Sequence, residues 1–201
     1  MSIHYRERRI SNEWSLLQQV ARLNGGLVEV LGRYSAPEDD LLTVAVHQTC
    51  GIVQTGTARE FVFSHVVELR FTRFFPSVPI EAALRVPVFH PNVDPENGFA
   101  CLWNRVSASD TVARALQRLQ FIISWTIVNL ESAHLLQPTA AQWYQDPARQ
   151  TALPLRFQAI TWPDDEGLVG TPDSASQCIP PRRRLERISL QPDLRHNHAN
   201  D

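Results

Sequence analysis

The first regular hydrophobic pattern of the chain lies near its N-terminus. Apolar residues recur there at intervals of four, three and four, at positions Ile10, Trp14, Leu17 and Ala21. This spacing places them on one face of an α-helix. Two glycines follow Asn24, and glycine readily adopts the backbone conformation that ends a helix. The pattern therefore predicts an amphipathic N-terminal helix that stops near residue 24.

Four apolar segments with strand-like patterns follow this helix. In the clearest of them the odd positions are Phe61, Phe63, His65, Val67, Leu69 and Phe71. Side chains two residues apart share one face of a strand, so this segment predicts a strand with one buried face. The sequence predicts four strands, at residues 27–32, 41–47, 61–71 and 82–89. Pro87 has no N–H to donate, which favours an edge position for the last strand.

A second helical pattern lies in the C-terminal half. Its members step by three or four residues and are Val112, Leu116, Leu119, Ile123, Ile127 and Leu130. They predict one long helix. The short polar side chain of Ser109 or Asp110 is a candidate cap for its first turn. After Pro138, residues 139–145 predict a shorter helix.

The composition changes after Asp146. The following segment is rich in Pro, Ser, Asp and Arg and shows no sustained period, which predicts little independent core. We therefore expect a folded core over residues 1–146 and a Pro/Arg-rich C-terminal extension over residues 147–201. The order of elements is helix, four-stranded antiparallel meander, long helix and short helix, which is typical of an α+β fold.

Composition and charge narrow the classes of partner. Hydrophobic residues make up 43% of the 201 residues, enough for one well-packed core. A net charge of −2 favours neither a nucleic-acid nor a membrane partner. We expect no membrane span and no signal peptide, because no apolar run reaches the required length. Three widely spaced cysteines argue against a disulfide framework and favour a reducing, cytoplasmic compartment.

One residue type is missing altogether. All 19 basic residues counted as Lys or Arg are arginine, although lysine is normally a common residue. Codon usage in a GC-rich genome is one explanation. The other is selection against a nucleophilic amine in a protein that handles an acyl group destined for lysine. The sequence leaves both open.

The most informative stretch is RVPVFHPNVDPENGFACLW, at residues 85–103. It places His90, Pro91 and Asn92 after the fourth predicted strand, and Cys101 eleven residues after His90. The proline turn FFPSVPIEA precedes the triplet, NGFACL surrounds the cysteine, and PTAAQWYQD follows later in the chain. In this order of elements, these segments resemble the ubiquitin-conjugating enzymes over roughly residues 5–146.

The resemblance implies a chemistry for Cys101. The cysteine would accept the C-terminal carboxyl of a ubiquitin-like modifier as a thioester from an ATP-dependent activating enzyme. It would then pass that carboxyl to an amine of a target protein. The properties of sulfur agree, because a thiolate exchanges acyl groups readily. The enzyme itself would need no cofactor and no metal.

The resemblance also assigns roles to residues outside the cysteine. His90 and Pro91 would shape the turn that holds the site, with His90 structural rather than a base. The Asn92 amide would donate a hydrogen bond to the oxyanion of the transfer reaction. In the family, basic residues of the first helix dock the activating enzyme. Here those residues are Arg6, Arg8 and Arg9, for which a solvated helix face is the alternative.

Other candidate residues carry weaker signals. Cys50 follows a predicted strand and is interpreted as structural. His47 and Cys50 have half of a zinc-binding spacing, but no second pair completes it. His196 and His198 lie in the extension, where we predict no catalytic role. Without its motif, Cys101 too would be interpreted as a small buried hydrophobic residue.

The sequence departs from the family pattern at three places. NRVSASDTV replaces the tryptophan-serine-proline stretch that contacts RING-type ligases. The family's last long helices are replaced by the extension. His134 stands where the family often has an acidic residue near the cysteine. With these departures and its all-arginine basic residues, the chain resembles bacterial relatives that are similar to components of antiphage operons, which encode their own activating enzyme, modifier and protease.

His134 is the candidate base for the incoming lysine. A lysine ammonium must lose a proton before it attacks a thioester, and a neutral imidazole can accept one at neutral pH. The alternative is that His134 caps carbonyls or faces solvent at the end of a helix. Two other functions stay open. One is a non-catalytic variant of the fold that only binds a ubiquitin-like protein, and the other is a thiol hydrolase that pairs Cys101 with His134.

Overall fold

The computed structural model describes residues 3–36, 39–104, 107, 110–151, 153 and 155–163. In chain order the elements are α1 (Ile3–Leu23), β1 (Val28–Ser35), β2 (Asp39–Val46), β3 (Gly51–Thr55), β4 (Ala58–Val62), β5 (His65–Thr72), β6 (Glu81–Leu84), β7 (Phe99–Ala100), α2 (Val112–Ile123), a single 3₁₀ turn (Ser132–His134), α3 (Pro138–Gln145) and α4 (Pro147–Gln150). Within the described residues, every helix is too short or too polar to span a lipid bilayer.

One antiparallel sheet organises the molecule. Its strands lie in the order β1, β2, β5, β6 and β7, and β3 pairs with β4 in a separate hairpin. The first four strands of the sheet form the predicted meander, with the hairpin inserted between β2 and β5. The α+β class and the order of helices and strands are confirmed.

The core lies between one face of the sheet, α1 and α2. Ile10 and Leu17 of the predicted apolar face of α1 are buried, and Trp14 and Ala21 pack against the core with partial exposure. The sheet contributes alternate residues, which on β5 are Val67, Leu69 and Phe71. The hydrophobic spacing therefore identified the buried faces of both elements.

The strand boundaries differ from the prediction at two places. Residues 61–71 are not one strand, because β4 ends at Val62 and β5 begins at His65. Phe61 is 58% exposed and belongs to the β3–β4 hairpin, which the alternation did not reveal. The fourth predicted strand ends at Leu84, so Pro87 lies in the following segment. There Phe89 donates its N–H to the Ile52 carbonyl at 2.7 Å, which directs the chain away from the sheet and toward the His-Pro-Asn turn.

Helix α2 is shorter than predicted because Trp125 ends it. Trp125 has a φ of 61°, the left-handed conformation common after helix C-termini. Its N–H bonds the Ile122 carbonyl at 2.9 Å, and the Thr126 N–H bonds the Phe121 carbonyl at 2.8 Å. These two bonds form a Schellman motif without glycine. As a result the chain from Thr126 onward leaves the helix and becomes a loop beside Cys101.

The N-terminus of α2 is capped differently from the prediction. The cap is Thr111, whose Oγ1 accepts from the Arg114 N–H at 3.3 Å. Asp110 is buried and pairs with the Arg114 guanidinium, while Ser109 lies outside the described residues. Glu13 of α1 accepts the free N–H of Val112 at 2.8 Å. A residue distant in sequence therefore satisfies one of the helix's free donors.

Residues after the predicted domain boundary contact the core. The Arg156 carbonyl accepts the Cys50 N–H at 2.8 Å, and the Thr161 N–H bonds the Asn24 side chain at 2.7 Å. Ile160 is buried. The division at residue 146 remains a prediction, and residues 164–201, with Cys178, His196 and His198, lie outside the described residues.

Candidate active site

A tight turn delivers Cys101 to its position. Gly98 has a φ of 74°, and its carbonyl accepts the Leu84 N–H at 2.9 Å. A Cβ at residue 98 would lie 1.9 Å from the Leu84 carbonyl oxygen, so only glycine fits. The turn leads into β7, and the Cys101 N–H then bonds the Asn92 carbonyl at 2.9 Å. The glycine three residues before the cysteine therefore has a steric cause.

His90 is a neutral structural tie. Its Nδ1 accepts the Asn92 N–H at 3.1 Å, so the proton lies on Nε2, which donates to the Ile127 carbonyl at 3.1 Å. Burial lowers the pKa of His90 to about 3, although the bond to Ile127 opposes this shift. With both ring nitrogens engaged, the geometry favours the structural role that the resemblance implies.

Pro91 and Asn92 hold the loop that follows α2. The Pro91 carbonyl accepts from the N–H groups of Leu136 and Gln137 at 2.8 and 3.1 Å. Asn92 is buried, and its Oδ1 accepts the Asn129 N–H at 2.9 Å. Its Nδ2 donates to the carbonyls of Asn129 and His134 at 2.6 and 2.9 Å. Both amide hydrogens are therefore used within the chain.

This geometry bears on the oxyanion role of Asn92, which remains a prediction. To bond a substrate oxygen, Nδ2 would have to release one of its two carbonyl partners. Asn92 also supplies the backbone carbonyl that fixes the Cys101 N–H. What the structure describes is an asparagine that joins the cysteine segment to the loop at residues 129–134.

His134 lies in contact with Cys101. Its Nδ1 is 3.1 Å from the Cys101 Sγ, within hydrogen-bond distance for sulfur. Its Nε2 is 3.7 Å from Oε2 of Glu131, and only 16% of the His134 side chain is exposed. The sequence position that suggested a base near the cysteine thus carries an imidazole that contacts the thiol directly.

Arg118 supplies positive charge from α2. Burial raises the pKa of the Cys101 thiol, and the Arg118 guanidinium opposes that shift. Arg118 is held by its bond to the Leu102 carbonyl at 2.5 Å and lies over the Trp103 ring. Sequence reasoning missed both Arg118 and Glu131. Arginine and glutamate are common on exposed faces, so only the fold identifies them as neighbours of the site.

The three arginines of α1 differ in their surroundings. Arg6 bonds the carbonyls of Phe71 and Thr72 and forms an ion pair with Asp40 at 2.9 Å. Arg9 pairs with Glu13 at 3.0 Å. Arg8 is exposed. Docking of an activating enzyme on all three remains a prediction, and Arg8 is the one whose side chain faces solvent most fully.

Cys50 and His47 have different surroundings. Cys50 is a buried free thiol whose pKa is raised by burial. His47 bonds Ser64 at 3.0 Å and lies 3.7 Å from Glu29. Across the described part of the chain, no three His, Cys, Asp or Glu side chains are grouped to hold a metal ion.

Comparisons with known proteins give one informative result. No family model and no curated protein matches the sequence. A ubiquitin-conjugating enzyme of Trypanosoma cruzi has a similar structure, with a TM-score of 0.51 at 15% identity over 72% of this chain and 93% of that chain. One of Plasmodium yoelii covers 73% of this chain and 91% of that one, at 14% identity and a TM-score of 0.48. At such identities the likeness concerns the fold alone. The chain therefore has the fold of the ubiquitin-conjugating enzymes.

Proposed function

We propose that the chain is a ubiquitin-conjugating-like enzyme that carries a ubiquitin-like modifier as a thioester on Cys101. The observation that carries this proposal is the 3.1 Å contact between the Cys101 Sγ and Nδ1 of His134, at the end of the His-Pro-Asn segment of a ubiquitin-conjugating fold. A cysteine paired with a base is equipped for acyl transfer, whereas a structural cysteine needs no such partner.

In the transfer step His134 acts as the base. An incoming lysine is protonated at neutral pH, since its reference pKa is about 10.4. His134 is partly buried beside the Cys101 sulfur and accepts a proton from the attacking amine. Cys101 is the leaving group, and the nearby Arg118 guanidinium favours its thiolate.

The main role of Asn92 is to hold the site together. Its three side-chain bonds to Asn129 and His134 fix the loop that carries the imidazole. This support is compatible with the oxyanion role only if one amide hydrogen becomes free during the reaction. His90 and Pro91 extend the same support to residues 127–137.

The proposed partners follow from the proposed chemistry. They are an ATP-dependent activating enzyme, the ubiquitin-like modifier and a target protein, with Arg8 as the most exposed of the α1 arginines for docking the activating enzyme. We place the protein in the cytoplasm of a bacterium, in a conjugation system directed against phage. The sequence departures at NRVSASDTV and His134 support that setting.

The test is a charging reaction. The protein is incubated with the activating enzyme and modifier encoded beside it and with ATP, and the products are separated with and without thiol reductant. We expect a reductant-sensitive adduct that Cys101→Ser converts to a reductant-resistant oxyester or abolishes. The matched control is Cys50→Ser, which alters the other described thiol and should leave charging intact. Binding of the modifier without any adduct would instead indicate the non-catalytic variant of the fold.

A further inference from the structure

The geometry points to a second role for His134, which rests on the proposed function. We infer that His134 accepts the thiol proton of Cys101 when the cysteine is charged, and that Glu131 is the positioning residue that orients the imidazole. The imidazole lies beside both other groups, with 3.1 Å from Sγ to Nδ1 and 3.7 Å from Nε2 to the Glu131 carboxylate. The inference thus adds a proton acceptor to the charging step and a third residue to the site.

The surroundings of Cys101 explain why charging needs a base. An ordinary thiol, with a pKa of about 8.5, is only about 3% ionised at pH 7. Burial raises the pKa of Cys101 further, and Arg118 on α2 offsets this only in part. The thiol is therefore protonated when it meets its acyl donor. An acceptor already in hydrogen-bond contact removes that proton at the moment of attack.

The tautomer of His134 follows from its two neighbours. For Nδ1 to accept from the thiol, the ring proton must lie on Nε2, and Nε2 faces the carboxylate of Glu131. The charged groups around the pair are Glu131 beside the imidazole and Arg118 beside the thiol, with Arg114 and Asp110 interacting with Arg118 on α2. The carboxylate beside the imidazole and the guanidinium beside the thiol stabilise the charges that develop as the thiol proton moves to Nδ1.

The charging step balances without any other reactant. Sγ forms a bond to the carbonyl carbon of the incoming thioester while the thiol proton moves to Nδ1. The tetrahedral intermediate then expels the thiolate of the acyl donor, which takes the proton back from Nδ1. One thioester bond forms and one breaks, and the imidazole is neutral again for the amine that follows.

The side chain and the backbone of His134 have different functions in the site. The backbone carbonyl accepts from Asn92 and helps to hold the loop, whereas the imidazole faces Sγ. His134→Ala removes the imidazole and retains the carbonyl, so it tests proton transfer without removing that contact. Glu131 is 78% exposed, so solvent weakens its effect on the imidazole and the effect should be small.

The test measures the reactivity of the uncharged thiol, which needs no partner protein. The full-length chain is treated with iodoacetamide between pH 5.5 and 9.5, and alkylation of Cys101 is followed by mass spectrometry of its peptide. We expect His134→Ala to slow alkylation at pH 7 roughly tenfold or more, because the buried thiol then ionises unaided. The difference should shrink as the pH approaches the thiol's own pKa.

A matched control exists elsewhere in the chain. His47 also lies 3.7 Å from a glutamate, Glu29, but it bonds Ser64 rather than a cysteine. His47→Ala should leave the alkylation profile of Cys101 unchanged. Glu131→Gln should slow alkylation at pH 7 about two- to fivefold at low salt, and the loss should vanish near 1 M salt, where exposed charges are screened. A purely structural role for Glu131 would give a loss that salt does not relieve.

The outcome separates this inference from the proposed function. Equal profiles for the parent and His134→Ala overturn the inference, whatever the charging gel shows. A tenfold slower variant supports the inference even if no modifier adduct forms, in which case the proposed function fails by itself. Unequal profiles that also appear in His47→Ala would overturn it, because the effect would not depend on contact with Cys101.

Discussion

Among single residues, His134 is proposed to act in both charging and discharge, and the two steps can be measured separately. In a variant charged to completion by long incubation, the amine still has to lose a proton to attack. His134→Ala should therefore slow discharge to free lysine by roughly 10²-fold, the usual contribution of a positioned base. The measurement is loss of the adduct over time with lysine at several pH values. Equal discharge rates in parent and variant would leave amine deprotonation to solvent or to the target.

Asn92 provides a second residue-scale prediction. Asn92→Ala leaves the carbonyls of Asn129 and His134 and the Asn129 N–H without their side-chain partner. We expect the free energy of unfolding to fall by about 1–3 kcal/mol, the cost of unsatisfied buried groups. Urea unfolding measures this, with the exposed Asn12→Ala as control. Unchanged stability together with a 10²- to 10³-fold slower transfer would favour the oxyanion role instead.

At the scale of elements, the turn before β7 depends on Gly98. Gly98→Ala places a methyl group against the Leu84 carbonyl and forces a left-handed backbone on a residue with a Cβ. We expect the free energy of unfolding to fall by about 1–3 kcal/mol. Gly25→Ala is the matched control, since its Cβ meets nothing within 4 Å. If urea unfolding finds both variants equally stable, the close approach at Gly98 is wrong.

The elements also show how far the sequence can predict this fold. Hydrophobic spacing identified α1 and the sheet faces, because burial of one face is what the spacing encodes, and Pro138 indicated the start of α3. It extended α2 past Ser124 because Ile127 and Leu130 continue the period. The helix ends instead where Trp125 adopts a left-handed backbone and stacks on Tyr144 at 5.7 Å. That contact is long-range, and no local pattern reports it.

The sequence also predicted only part of the candidate site. Cys101, Asn92 and His90 lie in one motif, and the position of His134 followed from the resemblance. Only the fold identifies Glu131 and Arg118 as neighbours of the site, because they lie on the loop after α2 and on α2 itself. Charges that act through space, from different elements, leave no signature in the order of residues.

At the scale of the whole molecule, two buried histidines couple stability to pH. Burial lowers the pKa of His90 to about 3 and also lowers the pKa of His65. The unfolded chain, with a histidine pKa near 6.5, binds more protons than the folded one below that pH. Stability is therefore complete above about pH 6.5 and is lost as the pH falls toward the folded values. Glu13 opposes this trend, because burial raises its pKa and its neutral form favours folding in acid.

Urea midpoints between pH 7 and pH 4.5 test this coupling. We expect the midpoint to fall as the pH is lowered. The free energy of unfolding should decrease by up to about 1.4 kcal/mol per pH unit for each fully buried histidine. His90→Gln should be less stable at pH 7, since the Asn92 and Ile127 bonds are disturbed, but should show a shallower slope. Equal slopes in the parent and in His90→Gln would contradict the neutral, buried state of His90.

Intact mass spectrometry of the charging reaction tests whether Cys101 carries the modifier. The predicted result is one added modifier, less one water, that is lost on treatment with thiol reductant and maps to the peptide containing Cys101. Cys101→Ala should give no such adduct, whereas Cys50→Ser should charge like the parent. A reductant-sensitive adduct that persists in Cys101→Ala would contradict the account.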